Sequence, residues 1–431
     1  MGGPWRVLAA YRDFRLLVSA GLISQTGDWI LRVGMAYAVY ALTGSTLASG
    51  NLLMASVLPQ VLLGSVAGVF VDRWDHRRTM LAANIVMAVG LAPLLFVRTA
   101  DQIWIAYVVA AFESCAAAFF APAESALVPG LVDADDLIPA NALNGQNTDA
   151  SRLIGSALGG VLAGVGGIPA LALADAASFG LAAGLLALMR PRPEVAPIGE
   201  PSVRSVWRSW RAGIALVARV PALRVLFAVA AISSVGEGIM GTLFAPFVRD
   251  VLHGGDAAYG GIMSIQAVGG IAGGIVAAGV GHRFSARSLL GCGALAFGAV
   301  DLALFLYPLA GAVLWPAFTL MVLAGLPGAL MLAGLMTVFQ SVTTDGERGR
   351  VFGAAVAVEG GCMLVGIAVA GWLGEVFGVL PVIAVQGAGY LLAGTVVVTL
   401  LPRSAGRTDQ QPVRPAPAVV SVAGPRATPV R

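Results

Sequence analysis

A pattern of long apolar segments that repeats about 210 residues along the chain limits the possible fold more than any other feature. Residues 24–28 (SQTGD) lie within one apolar segment, and residues 233–237 (SSVGE) lie at the same place in another. Further on, residues 72–77 (DRWDHR) correspond to residues 282–287 (HRFSAR). Because the spacing is nearly the same at both places, the sequence predicts two structurally equivalent halves.

The apolar segments are long enough to cross a membrane. Hydrophobic residues make up 58% of the chain and charged residues 11%, whereas soluble domains average about 25% charged residues. A membrane-spanning helix needs about 20 mostly apolar residues. The sequence therefore predicts an all-α integral membrane protein with twelve transmembrane helices. The predicted spans are residues 14–42, 47–71, 79–98, 103–130, 142–165, 168–189, 223–249, 257–281, 287–307, 313–341, 351–377 and 379–401.

The spans fall into two groups of six, separated by a segment rich in Pro, Arg and Ser. The predicted divisions are a terminal segment, a six-helix bundle, a linker, a second six-helix bundle and a tail, at residues 1–13, 14–189, 190–222, 223–401 and 402–431. The Trp-bearing part of the linker, residues 204–211, is either a helix on the membrane surface or a solvated connection. The composition of the tail is typical of a disordered segment.

The distribution of arginine predicts the orientation in the membrane. The chain has 26 basic residues, all of them arginine, and they cluster in alternate gaps between spans, in the linker and in the tail. Only Arg98 and Arg249 fall in gaps on the other side. Because basic loops stay on the cytoplasmic side, we expect a multi-pass protein of a bacterial cytoplasmic membrane with both termini in the cytoplasm. Such short clusters do not form the continuous basic face that binds nucleic acid.

The sequence offers little for metal or covalent chemistry. Cys115, Cys292 and Cys362 lie in separate apolar segments, and the three histidines are dispersed in loops, so none has the spacing of a metal site. No nucleotide-binding motif and no pattern of nucleophile and base occur. We therefore expect no cofactor, no ATP-driven step within this chain and no enzymatic activity.

The loop between the second and third spans carries the most specific motif. Residues 68–78 (GVFVDRWDHRR) resemble the loop signature of the major facilitator superfamily, with Asp75 in place of the usual second glycine. The resemblance implies a latch that holds the outward-facing state. Its residues here are Gly68, Asp72, Arg73, Arg77 and Arg78. The alternative is simple orienting charge, which leaves Asp72 without a role.

A second stretch resembles exporters of the same superfamily. Residues 122–129 (PAESALVP) and 140–144 (ANALN) are similar to the region of spans 4 and 5 in drug and siderophore exporters. Glu124 lies near the inner end of span 4 in this alignment. The resemblance therefore makes Glu124 a candidate partner of Arg77 within the latch.

A glycine motif in the fifth span resembles that of the antiporter branch. Residues 155–160 (GSALGG) supply Gly155, Gly159 and Gly160, with Ser156 where proline is common. The alternative is close helix packing, to which small residues contribute in any membrane protein.

The resemblance covers residues 10–402, and two short stretches point to a branch within the superfamily. Residues 175–179 (DAASF) and 348–351 (RGRV) look like the macrolide-efflux and enterobactin-exporter branch. The superfamily implies a monomer with two pseudo-symmetric bundles, in which spans 1, 4, 7 and 10 line a central cavity. It also implies alternating access around a site near mid-membrane.

Charged residues inside the predicted spans need a reason, because each costs at least about 2.5–3.5 kcal/mol at the centre of a bilayer. Asp28 lies near the middle of span 1 with Arg32 one helical turn on, and Glu237 lies at the equivalent depth in span 7. In the fold implied above, both acids face the cavity, where a low dielectric favours the neutral form of a carboxyl group. We expect Glu237 to take up and release a proton while Arg32 keeps Asp28 ionised. A purely structural pair of Asp28 and Arg32 is the alternative.

Further charges in the spans leave their roles open. Glu113 in span 4 and Arg152 in span 5 lie at similar depth, so either they pair or Glu113 faces the cavity and a nearby acid satisfies Arg152. Asp175 and Asp301 lie in peripheral spans, where we expect hydrogen bonds that pack helices together. Glu359 in span 11 fits either role.

Together, these residues and the resemblance predict a proton-coupled exporter of bulky hydrophobic small molecules, such as antibiotics or secondary metabolites. Its partners would be the cargo, protons and the lipid bilayer. A cavity with few fixed charges and many apolar side chains suits an amphipathic cargo. Two alternatives remain: a proton symporter that imports a nutrient, since one fold supports both, and a membrane receptor or enzyme that transports nothing.

Overall fold

The computed structural model describes residues 4–71, 73–190 and 203–402. The predicted latch residue Asp72, part of the predicted linker and nearly all of the predicted tail lie outside the described residues. Every regular element in the described ranges is helical. The α-helices are α1 (Pro4–Ala10), α2 (Arg12–Thr43), α3 (Thr46–Val71), α4 (His76–Gly90), α5 (Ile103–Leu127), α6 (Leu137–Ala187), α7 (Val203–Arg219), α8 (Pro221–Pro246), α9 (Asp256–Val280), α10 (Ala286–Leu306), α11 (Trp315–Val342), α12 (Asp345–Phe377) and α13 (Val379–Leu400).

Equivalent positions of the two halves start helices in the same way. α4 follows Asp75, whose carboxylate accepts a hydrogen bond from the backbone N–H of Arg78 at 2.7 Å. α10 follows Ser285, whose hydroxyl accepts one from the backbone N–H of Ser288 at 3.1 Å. Each side chain satisfies a backbone donor that the first turn of a helix leaves unpaired. Because Asp75 and Ser285 are related by the sequence repeat, the repeat is also structural.

One helix contains a break that the sequence places between two spans. α6 runs through both predicted spans, but Gly167 within it has φ 60° and ψ −155°, far from helical values. Glycine adopts such a positive φ without the clash that a Cβ would cause. Pro169 follows directly in the second part of α6. The chain therefore bends at Gly167, which separates a first and a second part of α6.

Ten stretches of the described residues are long and apolar enough to cross a membrane. The predicted count of twelve differs from this in two places. Segments 142–165 and 168–189 belong to one stretch of 54 residues, Ala134–Ala187, because the helix continues on both sides of the break. α2 is not among the ten although it has 32 residues, since the charged residues in its middle lower its mean hydropathy.

The packing of the helices repeats between the halves. α2 packs on α6 as α8 packs on α12 and α13, and α3 packs on α5 as α9 packs on α11. α4 contacts α5 and α6 as α10 contacts α11 and α13. The described helices therefore form two groups with the same internal packing, α2–α6 and α8–α13, as the sequence repeat predicts.

Two helix pairs carry most of the contact between the groups, α6 with α9 and α3 with α12. A Cβ added to Gly160 of α6 would lie 2.9 Å from the Cα of Gly260 in α9. A Cβ added to Gly50 of α3 would lie 3.3 Å from the Cα of Gly371 in α12. Glycine lets helices approach closely in lipid, so the abundant glycine has a specific use at this interface.

Polar contacts join the two groups at the end of the bundle away from the described chain termini, called the far end below. Tyr37 donates to the carbonyl of Gly254 at 2.9 Å, and Tyr40 donates to the carboxylate of Asp250. Arg249 donates to the carbonyl of Tyr40 at 3.0 Å. These bonds tie α2 to the segment between α8 and α9.

The opposite end, called the near end, is more open. A Cβ added to Gly68 of α3 or Gly353 of α12 would meet no atom within 4 Å. The same two helices are joined at the far end, where the hydroxyl of Ser45 donates to the carboxylate of Glu375 at 2.6 Å. At these two positions there is therefore open space beside α3 and α12 at the near end, whereas the far end is closed.

A short helix at the near end is attached to the loop before α6. The hydroxyl of Tyr11, which follows α1, lies 2.8 Å from Asp133 Oδ2 and 2.9 Å from Asp136 Oδ2. The hydrogen bond to Asp133 raises the pKa of Tyr11 to about 12. The phenol therefore remains a donor at neutral pH. The acidic loop that carries Asp133 and Asp136 is thereby attached to the segment between α1 and α2.

Candidate functional site

Asp28, Arg32 and Glu237 face the space between the two groups. All three side chains are exposed, whereas Gly27 and Gly236, beside the two acids, are buried. Their helices, α2 and α8, are enclosed by helices of both groups. An exposed side chain on an enclosed helix opens onto an internal gap, so both acids lie on the face that the sequence analysis expects.

A tryptophan lies between two arginines at this gap. The guanidinium carbon of Arg32 is 5.2 Å from the ring centroid of Trp29, and that of Arg152 is 5.6 Å from it. Guanidinium groups at this distance are attracted to the face of an indole. Arg32 forms no ion pair with Asp28 within the described ranges, but it acts electrostatically on Asp28, so a structural pair of the two residues stays an alternative.

Arg152 bridges the two groups instead of pairing with Glu113. Its guanidinium donates to the side chain of Gln266 on α9. The acids that act on it electrostatically are Glu237 and Asp149, and no ion pair with Glu113 occurs in the part of the chain that the structure describes. Arg152 therefore carries a positive charge at the junction of α6 and α9.

Three acids gather around the middle of α2. Asp28 acts electrostatically on both Glu113 of α5 and Asp175 of α6. Asp175 is fully buried, accepts a hydrogen bond from the Ser178 hydroxyl at 3.1 Å and lies against Gly27, where an added Cβ would overlap it. The Ser178 bond lies within α6, so the expected hydrogen bond between helices stays a prediction. The sequence analysis does not predict the position of Asp175 beside Asp28. Gly27, directly before Asp28, could have indicated it, because a residue without a side chain leaves room for another helix to lie beside Asp28.

Glu237 is held by a tyrosine that sequence reasoning missed. Tyr390 of α13 donates to Glu237 Oε1 at 2.7 Å. Asp301 of α10 is 2% exposed and lies within electrostatic range of Glu237. A Cβ added to Gly236 would lie 3.1 Å from Cγ of Gln386, one turn before Tyr390. In both groups, then, the glycine before the acid packs against the last transmembrane helix of its group.

The glycine motif brings three helices together. A Cβ on Gly155 would lie 2.5 Å from the carbonyl oxygen of Thr26, and a Cβ on Gly159 would lie 2.7 Å from that of Ile30, both on α2. Gly160 faces α9, as described above. The motif therefore packs α6 against the helix that carries Asp28 and against the other group.

The loop motif is only partly assembled in this conformation. Arg77 donates from Nε to the carbonyl of Leu186 at 2.9 Å and from its terminal nitrogen to that of Ala187 at 2.6 Å. Carbonyls in the last turn of a helix lack partners within it, so Arg77 completes the end of α6. Glu124 lies near Gly21 of α2, and within the described residues it forms no ion pair with Arg77.

The remaining features of this loop point outward. Arg73 and Arg78 are exposed, and Trp74 stacks on Phe119 of α5 with ring centroids 5.9 Å apart. Gly68 has no close neighbour, as noted above. Among residues 4–71, 73–190 and 203–402, no group of three or more His, Cys, Asp or Glu is arranged to hold a metal ion.

Known proteins share both the sequence pattern and the fold. An MFS-type transporter of Mycobacterium tuberculosis is 26% identical over 426 residues, which cover 93% of each chain. One from Bacillus subtilis is 28% identical over 171 residues, 39% of this chain and 40% of that protein. Macrolide efflux protein A of Streptococcus pyogenes is 24% identical over 163 residues, 37% of this chain and 40% of that protein. The matched region thus spans less than half of the Bacillus and Streptococcus proteins.

Solved structures with little sequence identity have the same fold. A D-xylose-proton symporter superposes with a TM-score of 0.72 at 15% identity, covering 93% of this chain and 100% of that one. A bacterial homologue of the iron transporter ferroportin, in an inward-facing state, gives a TM-score of 0.72 at 16% identity, covering 91% and 99%.

The family assignment rests on a match along almost the whole chain. The family model described as transmembrane secretion effector matches residues 3–430. The helical fold, the relatives and this match agree. The chain therefore belongs to the transmembrane secretion effector family of the major facilitator superfamily, and it is a membrane transporter and not an enzyme.

Proposed function

We propose that this chain is a proton-coupled exporter that carries bulky hydrophobic small molecules across the cytoplasmic membrane by alternating access. One observation carries the proposal: Asp28 and Glu237 occupy equivalent positions of two equivalent helix groups, and both are exposed to the gap between them. In transporters built from repeats, cargo and coupling ions bind at the interface of the repeats near mid-membrane. An acid exposed there is available to both a proton and a cargo.

The proposed architecture has twelve spans. It counts α2 as the first span and the two parts of α6 as the fifth and sixth, which gives six in residues 14–189 and six in residues 223–401. The chain acts as a monomer, and the linker, both termini and the near end lie in the cytoplasm. This orientation is supported by the arginines, which concentrate in the linker and in the near-end loops.

With this orientation the present conformation is inward-facing. The far end is closed by the bonds of Tyr37, Tyr40 and Ser45, so cargo enters from the cytoplasm or the inner leaflet. Rocking of the two groups then closes the near end and opens the far end. Protons enter from outside as cargo leaves, so the proton gradient drives export.

Glu237 is the proposed proton carrier. Cargo that binds in the gap displaces the proton of Glu237 towards the cytoplasm, and a proton from outside restores it after release. The Tyr390 hydroxyl, 2.7 Å from Glu237 Oε1, stabilises the carboxylate while the proton is absent, because a hydrogen bond to an ionised group is a strong one. Tyr390 is therefore a positioning residue for this step.

Asp28 has a different proposed role in the other group. It shares its surroundings with Glu113 and Asp175, so the three acids cannot all be ionised without repulsion. Arg32 and Arg152 supply positive charge nearby, on either side of Trp29. We therefore assign Asp28 as the acid that remains ionised. Its charge links the net charge in the gap to the conformation of the protein, and Glu113 is its neighbour on the cavity wall.

The near-end loop is the proposed latch of the outward-facing state. Gly68 and Gly353 have open space beside them, which α3 and α12 fill when the near end closes. Asp72, Arg73 and Arg78 then come close to the other group, with Arg77 and Glu124 as further members. The glycine motif at residues 155–160 keeps α2, α6 and α9 together during this movement.

Export is favoured over import by a partial relative. Macrolide efflux protein A shares 24% identity with part of the chain, and an efflux protein moves its cargo outwards. The D-xylose-proton symporter shares only the fold, which supports transport in either direction. The sign of the proton movement separates the two possibilities.

The testing experiment uses inside-out vesicles with an acidified interior and a pH-sensitive dye inside. A panel of hydrophobic antibiotics is added outside, on the cytoplasmic face. An antiporter moves protons out as cargo enters, so the interior pH rises, and this response is absent for Glu237→Gln. A fall in interior pH on cargo addition would show a symporter, and no change with any labelled cargo, together with no cargo uptake, would contradict coupled transport.

A further inference from the structure

A carboxyl group on α12 lies in an apolar groove outside the midplane site. Glu359 lies where α8, α11 and α12 meet, and its neighbours in the groove include Phe227, Met336, Phe339 and Phe352. Phe227 is in the second turn of α8, Phe339 in the last turn of α11 and Phe352 in the second turn of α12. The groove is therefore at the near end of the second group, where the gap between the groups is open.

Nothing in the described protein satisfies this carboxyl group. Within the described ranges Glu359 takes part in no hydrogen bond and no ion pair. Two other acids of the second group are hydrogen-bonded, since Glu237 receives a bond from Tyr390 and Glu375 receives one from Ser45. An unpaired acid among apolar side chains in a membrane is costly, and such groups mark sites where a ligand or an ion supplies the missing partner.

The side chains around Glu359 suit a positive charge. Phe339 and Phe352 meet edge to face, with centroids 6.2 Å apart and planes at 73°. The faces of such rings attract cations, and the thioether of Met336 is flexible and adapts to ligands of different shape. Phe352 is 53% exposed and Met336 is 38% exposed, so the groove is open at the surface of the second group.

The size of the groove limits what it holds. Its volume is about 40 Å³, enough for one small group such as a protonated amine with its substituents. The apolar remainder of a cargo would extend into the open gap at the near end. The groove therefore fits the charged head of an amphipathic molecule and not its whole body.

The midplane site is less suited to a cation. Arg32 and Arg152 lie there beside Trp29, and both would repel a positive ligand whenever the acids are protonated. Glu359 has no arginine paired with it in the described chain. A cation in the groove would therefore meet an acid that is not paired with an arginine, whereas a cation in the midplane site would lie near Arg32 and Arg152.

We propose that the groove around Glu359 is a binding site for organic cations with apolar bodies, which meets the cargo first on its way from the cytoplasm. The transport role rests on the proposed function, whereas the binding itself does not. Glu359 supplies the charge, Phe339 and Phe352 supply ring faces, and Phe227 and Met336 cover the apolar substituents.

The test compares two probes of similar shape and opposite charge, each with a small charged head and an apolar body. Binding of radiolabelled 2-phenylethylammonium and of 3-phenylpropanoate to the purified full chain in detergent is measured by equilibrium dialysis at about pH 8. We expect Glu359→Gln to weaken 2-phenylethylammonium binding at least tenfold while leaving 3-phenylpropanoate binding unchanged or stronger. Asp135→Asn, which removes an exposed acid from a loop, is the matched control and should leave both unchanged.

Three outcomes would overturn the site. The first is that the unaltered chain does not bind 2-phenylethylammonium. The second is that the Glu359→Gln variant binds it equally well. The third is an equal loss of both probes, which would show a collapsed groove. Phe352→Leu provides a second check, because it keeps the groove apolar and removes a ring face, and it should weaken the cation more than the anion. Equilibrium dialysis measures binding without a proton gradient. A lack of proton movement in the vesicle experiment would therefore contradict the proposed function without changing the binding result.

Discussion

The two helix groups share a scaffold and differ in the chemistry around their central acids. Gly27 and Gly236 both admit the last transmembrane helix of their group beside the acid. In the first group that helix brings another acid, Asp175, close to Asp28. In the second it brings Tyr390, which donates to Glu237 at 2.7 Å.

In the proposed cycle, this difference gives the two acids different tasks. Backbone contacts that depend on glycine are retained in both copies, because losing them would prevent the helices from packing. Side chains that face the gap are free to diverge. Asp28 then lies near two other acids and Arg32, whereas Glu237 accepts a hydrogen bond from Tyr390 and lies near Asp301 and Arg152. In the proposed cycle, this difference suits the two acids to different steps.

The largest expected effects are at the two acids. Glu237→Gln should reduce cargo-driven proton movement to the level of empty vesicles, because an amide cannot carry the proton. Asp28→Asn should also abolish coupling while protein levels remain near normal. Fluorescence of the vesicle dye and immunoblotting measure these two quantities. A loss of the Asp28→Asn protein itself would instead favour a structural role for Asp28 and would break the proposed division.

A second prediction compares the two glycines. Gly27→Ala should destabilise the protein by about 1–3 kcal/mol, the usual range for overpacking, because its Cβ would overlap Asp175 and Ser178. Gly236→Ala should cost clearly less, since its Cβ would lie 3.1 Å from the flexible side chain of Gln386. Thermal unfolding in detergent compares them. Equal melting temperatures for the two variants would show that the packing around the acids is not as different as described.

A third prediction concerns the equivalent loops. The first carries Asp72, and the second carries His282 at the same place. Asp72→Asn should slow turnover several-fold without changing cargo preference, because the latch of the first group would be weakened. His282→Asn should have little effect on turnover. Initial rates of cargo uptake into vesicles measure both, and unchanged kinetics for Asp72→Asn would count against the latch.

The smallest expected effect is at the near-end attachment of the first group. Tyr11→Phe should increase protease cleavage near α1 without affecting transport, because the bonds to Asp133 and Asp136 are lost. The pKa of Tyr11 is raised to about 12, so its contribution is complete below the usual pKa of about 10 and is lost as pH rises through about 12. Cleavage of the unaltered protein should therefore be constant between about pH 6 and about pH 9, and a change in that range would contradict the assignment.

Much of the fold follows from the sequence because its signals are local or repeated. The helices, the bend between spans 5 and 6, and the equivalent depth of Asp28 and Glu237 all come from apolar length and from one repeat. The cap at Asp75 has the same origin, since an acid before a helix satisfies its first backbone donors.

The contacts of the site could not be predicted in the same way. The bond from Tyr390 to Glu237 and the arrangement of Arg152 over Trp29 join helices that are far apart in sequence. These contacts depend on how each helix is rotated about its own axis. A sequence of small apolar residues does not show which face of a helix will contact its neighbour. The expected pair of Glu124 and Arg77 is absent for a related reason, since Arg77 is engaged by the end of α6.

The bond between Tyr40 and Asp250 at the far end has an energetic consequence for the whole cycle. The two residues lie at the far end, one in each half of the chain. A hydrogen bond of this kind contributes about 0.5–1.5 kcal/mol, or about 1.5–3 kcal/mol when one partner is charged. A proton that crosses a potential of 100 mV releases about 2.3 kcal/mol. In the proposed cycle, breaking one such bond therefore costs about as much as one proton supplies at 100 mV, so each bond of the far-end seal is comparable in energy to the driving force.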